Sequence, residues 1–307
     1  MEKSIYQLIS DNITGGALKE GFALPDEDPD DASVKWAPGA MDGVTIYHMH
    51  HQALDELQKK KMEEAVQSAA GGNYQEADSL FYEWTKTNRA VSVIDELQEY
   101  VIGHSSELDA ENVYQTALFM MLQSGHTECV KIGLELMELF KANDDNVKEI
   151  IRRLGLYDEF TVFAVWNMQK WESGNDEIFN IAKKVHGWGR IHAVERLEPA
   201  TDEIRHWILT EGSFNVVMRA YSALTCWIKA DAREILFGNP TQDEYKGILM
   251  LIGALIDEGP VQGISALDDA MEVIMRLLEI TPEYDLTVQD YDEILLIRNW
   301  AEDERTA

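Results

Sequence analysis

The sequence predicts an all-α fold, an α-solenoid of antiparallel helix pairs, and three observations point that way. From about Glu111 to Trp300 apolar residues recur at three- and four-residue spacing, the period of a half-buried helix. No stretch alternates apolar and polar residues as a half-buried strand would. The periodic segments are separated by about a turn's worth of linker, and short connections force consecutive helices to pack antiparallel. Helix pairs stacked in this way bury a continuous core and leave an extended face for holding something else. The chain has 307 residues and is 45% hydrophobic, enough for a sizeable core.

Residues 1–45 stand apart. They contain Gly15, Gly16, Gly21, Gly39 and Gly43, Pro25, Pro29 and Pro38, and the acidic runs Asp26-Glu27-Asp28 and Asp30-Asp31. Glycine and proline oppose a long helix, so this stretch is read as an irregular acidic N-terminal segment anchored by Phe22, Leu24 and Trp36. Residues 46–307 are read as one α-helical repeat domain. Asp26, Asp28 and Asp30 have the alternation of a calcium loop, but Pro29 interrupts it. Asp31 stands where the sharp turn requires glycine, and Ala37 where the last ligand belongs. Calcium binding is excluded on that pattern.

From Tyr47 to Ala70 the spacing predicts one long charged helix, stopped by Gly71-Gly72-Asn73. Past residue 110, helices are predicted to begin at or near Glu111, Thr127, Asp144, Asp158, Asp176, Gly189, Asp202, Phe214, Asp243, Ser265 and Val288. Gly155, Gly174, Gly212, Pro240, Gly259-Pro260 and Pro282 fall between them as stop signals, and Thr241 with Glu244 has the spacing of a capping box. Two stripes show the register: Val147, Ile150, Ile151 and Leu154, then Ile264, Leu267, Met271, Ile274, Leu277 and Leu278.

Several segments resemble known repeats. Gly72 to Phe81 looks like the second helix of a tetratricopeptide unit, and Gly125 to Lys131 resembles the turn and second helix of an ankyrin unit, but neither recurs at its family's period. Asp145 to Gly155 and Gly189 to Leu197 resemble HEAT-type helices. That resemblance implies a HEAT- or armadillo-like superhelix, a non-enzymatic protein whose concave surface binds a protein or peptide. The segment Gly187 to Trp207 is also similar to bacterial proteins labelled limonene hydroxylase. This resemblance implies the alternative, an enzyme acting on a small apolar molecule in a pocket between helices, lined by Trp188, Trp207, Trp227 and Met218.

A hydroxylase needs an oxygen-activating centre. A di-iron bundle takes two Glu-x-x-His pairs, and the chain has one, Glu203 with His206. A haem thiolate belongs in a glycine-flanked loop, whereas Cys226 lies in the helical run Tyr221 to Trp227. Gly187-Trp188-Gly189 lacks the third glycine of a dinucleotide fingerprint and follows a helical pattern. No phosphate loop and no nucleophile motif is evident. The reading is therefore no cofactor, no catalytic residue and no resident metal. His48, His51 and Asp55 would share a helix face as two imidazoles and a carboxylate, a ligand set suited to zinc or iron. No group to orient them can be assigned, and they are read as a helix start with exposed imidazoles.

The balance of 26 Lys and Arg against 56 Asp and Glu gives a net charge of −30. Such a charge repels nucleic-acid phosphates and anionic membranes and steers a basic protein partner, one form of which is a basic toxin neutralised by an immunity-type protein. Cys129 and Cys226 are far apart in apolar helical contexts and read as buried thiols of a reducing compartment. Met1 to Leu8 has no apolar export core, and the longest apolar run, Gly247 to Ile256, is half a membrane span, so a cytoplasmic location is expected.

One segment gathers cations in this acidic chain: Lys183, Lys184, His186, Arg190, His192, Arg196, Arg205 and His206, between Trp188 and Trp207. The candidate binding residues are Trp188, Arg190, His192, Arg196, Arg205, His206 and Trp207, with arginine forking onto a carboxylate and tryptophan covering the apolar part of a peptide. The competing expectation is that Arg190 and Arg196 pair with Glu195, Glu198 and Glu203 while the tryptophans fill the core. Trp84, Trp166, Trp171, Trp227 and Trp300 are read as core, and Glu302-Asp303-Glu304 as a solvated end.

Overall fold

The computed structural model describes residues 3–25, 35–49, 53–141 and 144–306. Among the described residues the chain is helical apart from one small hairpin, and it divides into two compact units, 1–189 and 190–307.

Residues 3–25 and 35–45 carry more order than their composition predicts, because Gly15, Gly16, Gly21 and Gly39 sit in turns or at a helix start. Ser4 opens α1 (Ile5–Asp11) with a capping box: its hydroxyl accepts from the Gln7 amide and the Gln7 side chain accepts from the Ser4 amide. Strands β1 (Ile13–Thr14) and β2 (Ala17–Leu18) pair antiparallel around Gly15 and Gly16, whose φ of +63° and +79° suit the two-residue hairpin turn. Helix α2 spans Ala40–His48. The acidic runs from Asp26 to Asp31 lie outside the described residues.

The single helix expected from Tyr47 to Ala70 is corrected to two. Helix α2 ends at His48, and α3 (Glu56–Ala70) starts afresh after Asp55. The Asp55 carboxylate accepts from the Gln58 amide at 2.8 Å. Aspartate in extended backbone is a strong helix start, so this residue begins a helix where periodicity alone would continue one.

The first unit continues with α4 (Tyr74–Thr85), α5 (Ala90–Gly103), α6 (Ala110–Gln123), α7 (Thr127–Glu138), α8 (Asp145–Gly155), α9 (Asp158–Met168) and α10 (Gly174–Ala182); α11 (Trp188–Arg196) runs across the boundary. Sequential partners pack together: α3 on α4, α6 on α7, α8 on α9. Between pairs, α3 meets α6 and α6 meets α8, while α4 meets α7 and α7 meets α9. Helix α5 lies against α7 and α2. Helix α7 is thereby surrounded, and every residue from Cys129 to Met137 is buried, Lys131 and Glu135 included. The α8 stripe of Val147, Ile150, Ile151 and Leu154 is buried as its spacing predicts.

The second unit holds α12 (Asp202–Thr210), α13 (Ala220–Lys229), α14 (Ala232–Phe237), α15 (Gln242–Ile256), α16 (Ala270–Ile280) and α17 (Val288–Thr306). Helix α15 is its core, packed by α12, α13 and α17, and it opens on the predicted Thr241 and Glu244 capping box. Its apolar run is core helix; among the described residues no helix is long and apolar enough to cross a membrane. Two predicted starts move. The Asn215 side chain accepts from the amides of Val217 and Met218, holding a turn where a helix was expected to begin at Phe214, so α13 starts at Ala220. Ile264–Ala266 form a single 3-10 turn, so α16 starts at Ala270 rather than near Ser265.

Gly43 on α2 lies against the indole of Trp188, and a Cβ there would overlap the ring. Trp188 is itself buried and cannot swing out. Gly43→Ala is expected to cost about 1–3 kcal/mol by overpacking, read as a lower urea midpoint at unchanged m; an unchanged midpoint would contradict the close approach.

Candidate functional site

Four helix N-termini converge in the first unit, and each brings a charged side chain. Asp42 lies in the first turn of α2, Glu128 in that of α7 and Glu159 in that of α9, while Arg89 is the N-cap residue of α5. Acids in the first turn are favoured by the partial positive charge of a helix start. Here the helix starts face one another, so the carboxylates crowd. Lys131, one turn beyond Glu128 on α7, points into the middle of them.

The Lys131 ammonium lies 2.6 Å from Asp42 Oδ2, 2.6 Å from Glu159 Oε1 and 2.8 Å from Glu128 Oε1. Its side chain is 0% exposed and that of Asp42 1%. The Arg89 guanidinium flanks the group, with Nη2 3.1 Å from Asp42 Oδ1 and 3.2 Å from Glu128 Oε1. The remaining carboxylate oxygens take backbone donors: Glu128 Oε2 accepts from the Ala90 amide at 2.7 Å, and Glu159 Oε2 from the Gly39 amide at 2.5 Å. Glu128 and Glu159 thus also hold the first amides of α5 and α2.

Burial alone would drive the proton from Lys131, but attraction to Glu128, Asp42 and Glu159 outweighs it and raises its pKa above the ordinary lysine value. Burial likewise opposes ionisation of Glu128, yet Lys131, Arg89 and the Ala90 amide hold its carboxyl below the usual range. At Asp42 burial prevails over Lys131, and its pKa is raised. A lysine held as ammonium is no nucleophile, which removes Schiff-base chemistry from this site.

Glu135, one turn further along α7, is buried, and neither carboxyl oxygen has a hydrogen-bond partner. Burial, then repulsion from Glu128, Asp42 and Glu138, pushes its pKa well above the usual range, which favours the protonated form.

Arg89 also reaches a pocket of about 630 Å³ between α2, α3 and α5. Met41, Ile46 and Met49 from α2, Leu54 before α3, and Val91 and Val93 from α5 form apolar walls, interrupted by Thr45, Asp55, Gln58 and Asn88. Met49 is 55% exposed.

The residues picked out in sequence lie on α11 and α12. In the first unit Trp188 is buried, with its ring 6.1 Å from that of Tyr47. In the second, Arg190 is buried, donates from Nη1 to the Phe214 carbonyl at 2.9 Å, and lies 5.5 Å from the Trp207 ring centroid. His192 is buried, and burial followed by the Arg196 charge lowers its pKa to about 3, leaving it neutral. Arg196 pairs with Glu195 at 3.3 Å, and Arg205 with Asp202 at 3.4 Å and Asp231 at 3.7 Å. The structure therefore brings Arg190 and Trp207 together and engages the arginines within their own unit. His206 is exposed and lines a pocket of about 490 Å³ with Lys246, Asp290, Phe214 and Met250 among its neighbours. Trp207, Trp227 and Met218 are not in that lining.

Among the described residues no group of three or more His, Cys, Asp or Glu is disposed to hold a metal ion. Asp42, Glu128 and Glu159 converge on an ammonium instead. His48 ends α2, Asp55 spends a carboxylate oxygen on its helix cap, and His51 lies outside the described residues. The ion cluster itself is absent from the sequence reading. Its only local signal is two charges, Lys131 and Glu135, inside the otherwise apolar run from Cys129 to Met137. Comparison with protein-family models, with curated proteins and with solved structures finds no match to this chain.

Lys131→Met is expected to lower stability by about 3–5 kcal/mol at neutral pH, since it leaves the carboxylates uncompensated. The deficit should narrow as pH falls and they take up protons; a deficit independent of pH would contradict the arrangement. Glu135→Gln should act oppositely. The raised folded pKa of Glu135 means its contribution is fully present below its unfolded value of about 4.5 and is lost as pH rises towards the folded value. The glutamine variant should be more stable at pH 7, and the two urea-derived curves should meet below about pH 4.5.

Proposed function

We propose that the protein is a non-enzymatic helical-repeat module that binds a basic protein or peptide, with an apolar side chain of the partner entering the pocket between α2, α3 and α5. The observation that carries this is the pocket itself: about 630 Å³, walled by methionine and aliphatic side chains, in a chain of net charge −30. Methionine-lined pockets adapt to irregular apolar groups. The surplus charge supplies long-range steering of a basic partner, and an immunity-type protein that blocks a basic toxin is one form of this activity.

The scaffold in this reading is a HEAT-like α-solenoid. In support, α3–α4, α6–α7 and α8–α9 form pairs, with α5 intervening between the first two, and their first helices contact in order and their second helices do likewise. A rigid stack keeps the ordering cost of binding low. Two buried cysteines outside any disulfide, Cys129 and Cys226, fit a cytoplasmic setting. The apolar lining also supports a second reading, in which the pocket takes a small apolar molecule as substrate, as the hydroxylase resemblance implies.

A lysine-flanked phenylalanine peptide, titrated by fluorescence anisotropy, is expected to bind and to weaken as salt rises from about 0.05 to about 0.5 M. Met49→Trp, which fills the pocket without changing charge, should weaken it at least about tenfold. Equal affinity of the variant would overturn the pocket assignment, and turnover of a small apolar compound without peptide binding would favour the second reading.

A further inference from the structure

Helix α17 exposes apolar side chains that its own packing does not use. Its inner face is already covered: Ile297 and Ala301 are buried, Asp290 is buried and lies 3.6 Å from Lys246 of α15, and Glu293 lies 2.6 Å from Arg219, the residue that opens α13. Its outer face carries four exposed apolar residues among polar ones. Val288 is 81% exposed, Tyr291 56%, Leu295 53% and Leu296 46%. At 100° per residue Val288, Tyr291 and Leu295 fall on one stripe with Leu296 at its edge, and they span about 12 Å of axis. Contiguous exposed apolar patches of this kind mark interaction sites on a folded chain.

The charge around the stripe selects the partner. Asp292, Glu302 and Asp303 lie on the same exposed face, and its cation, Arg298, is engaged by Glu302 at 2.8 Å. A second copy laid on this face would set carboxylates against carboxylates, and an anionic membrane would be repelled. A basic amphipathic helix meets both demands, its apolar ridge over Val288, Tyr291 and Leu295 and its lysines or arginines beside Asp292 and Asp303. The surface is also held ready. The Thr287 amide and hydroxyl donate to Asp290 Oδ2 at 2.7 and 2.9 Å, and the Asp290 amide donates back to Thr287 Oγ1 at 3.3 Å, which fixes the start of the helix before anything binds.

We propose that the outer face of α17, built from Val288, Tyr291, Leu295 and Leu296 beside Asp292 and Asp303, is a docking surface for a basic amphipathic helix of a partner protein. It lies in the second unit and goes beyond the pocket of the first, so each can fail without the other.

The test is calorimetric titration of the full chain with an 18-residue peptide of leucine and lysine in helical alternation, against a scrambled peptide of the same composition and a leucine–glutamate counterpart. The expected result is binding of the amphipathic basic peptide alone, and a loss of at least about tenfold in the double variant Tyr291→Ser and Leu295→Ser, which keeps every charge. Both positions are exposed, so folding should be unaffected. Equal affinity for the scrambled peptide, or no loss in the double variant, would reduce the interaction to bulk charge and overturn the proposal. A concentration-dependent dimer in sedimentation that disappears in the same variant would overturn it in favour of a second copy.

Discussion

An ammonium group enclosed by three carboxylates governs the first unit. Removing Lys131 and Asp42 from water is costly, and attraction between buried charges offsets that cost only when the geometry is close and the remaining oxygens are satisfied. The geometry is close, and the other oxygens of the three acids have donors, while Asp42 Oδ2 meets Lys131 as an ion pair alone. Contacts of 2.6–2.8 Å surround Lys131, Arg89 bridges two of the same acids, and backbone amides of Gly39 and Ala90 take the outer oxygens of Glu159 and Glu128. The converging starts of α2, α5, α7 and α9 add a favourable field for the acids. Three carboxylates face two cations, and at the next acid along α7, Glu135, burial and repulsion from its neighbours raise the pKa.

This cluster specifies which helices meet. An apolar core accepts many registers, whereas a buried charge tolerates only the one that supplies its partners. Asp42 ties α2 to α7, Glu159 ties α9 to it, and the Ala90 amide sets α5 on the Glu128 carboxylate. The pocket between α2, α3 and α5 inherits its shape from these ties, because Arg89 is both a member of the cluster and part of the pocket lining. In this account the ionic floor is architecture and the methionine walls are the part offered to a ligand.

The helices were legible where local physics decides them. Periodicity and caps placed α7, α9, α12 and α17 at Thr127, Asp158, Asp202 and Val288, and the Thr241 and Glu244 box marked α15. The boundaries that moved are set by single side chains: Asp55 capping Gln58, and Asn215 holding a turn. Helix α14 went unread because it is six residues long and is separated from α13 by Asp231 at φ +53°. The site was harder to see. Arg190 and Trp207 do meet, but composition could not show that Arg190 is spent on the Phe214 carbonyl. Asp42, Arg89, Glu128, Lys131 and Glu159 lie on four different helices, so no window of sequence contains the cluster.

The protonation state of Lys131 is the most direct point of attack. Side-chain ¹⁵N NMR of the native protein, assigned with Lys131→Arg, reads the ammonium itself. A charged, enclosed Lys131 should give a slowly exchanging resonance, distinct from surface lysines, that does not titrate up to the ordinary lysine value of 10.5. A Lys131 signal that exchanges like its exposed counterparts, or that loses its proton below that value, would contradict the account.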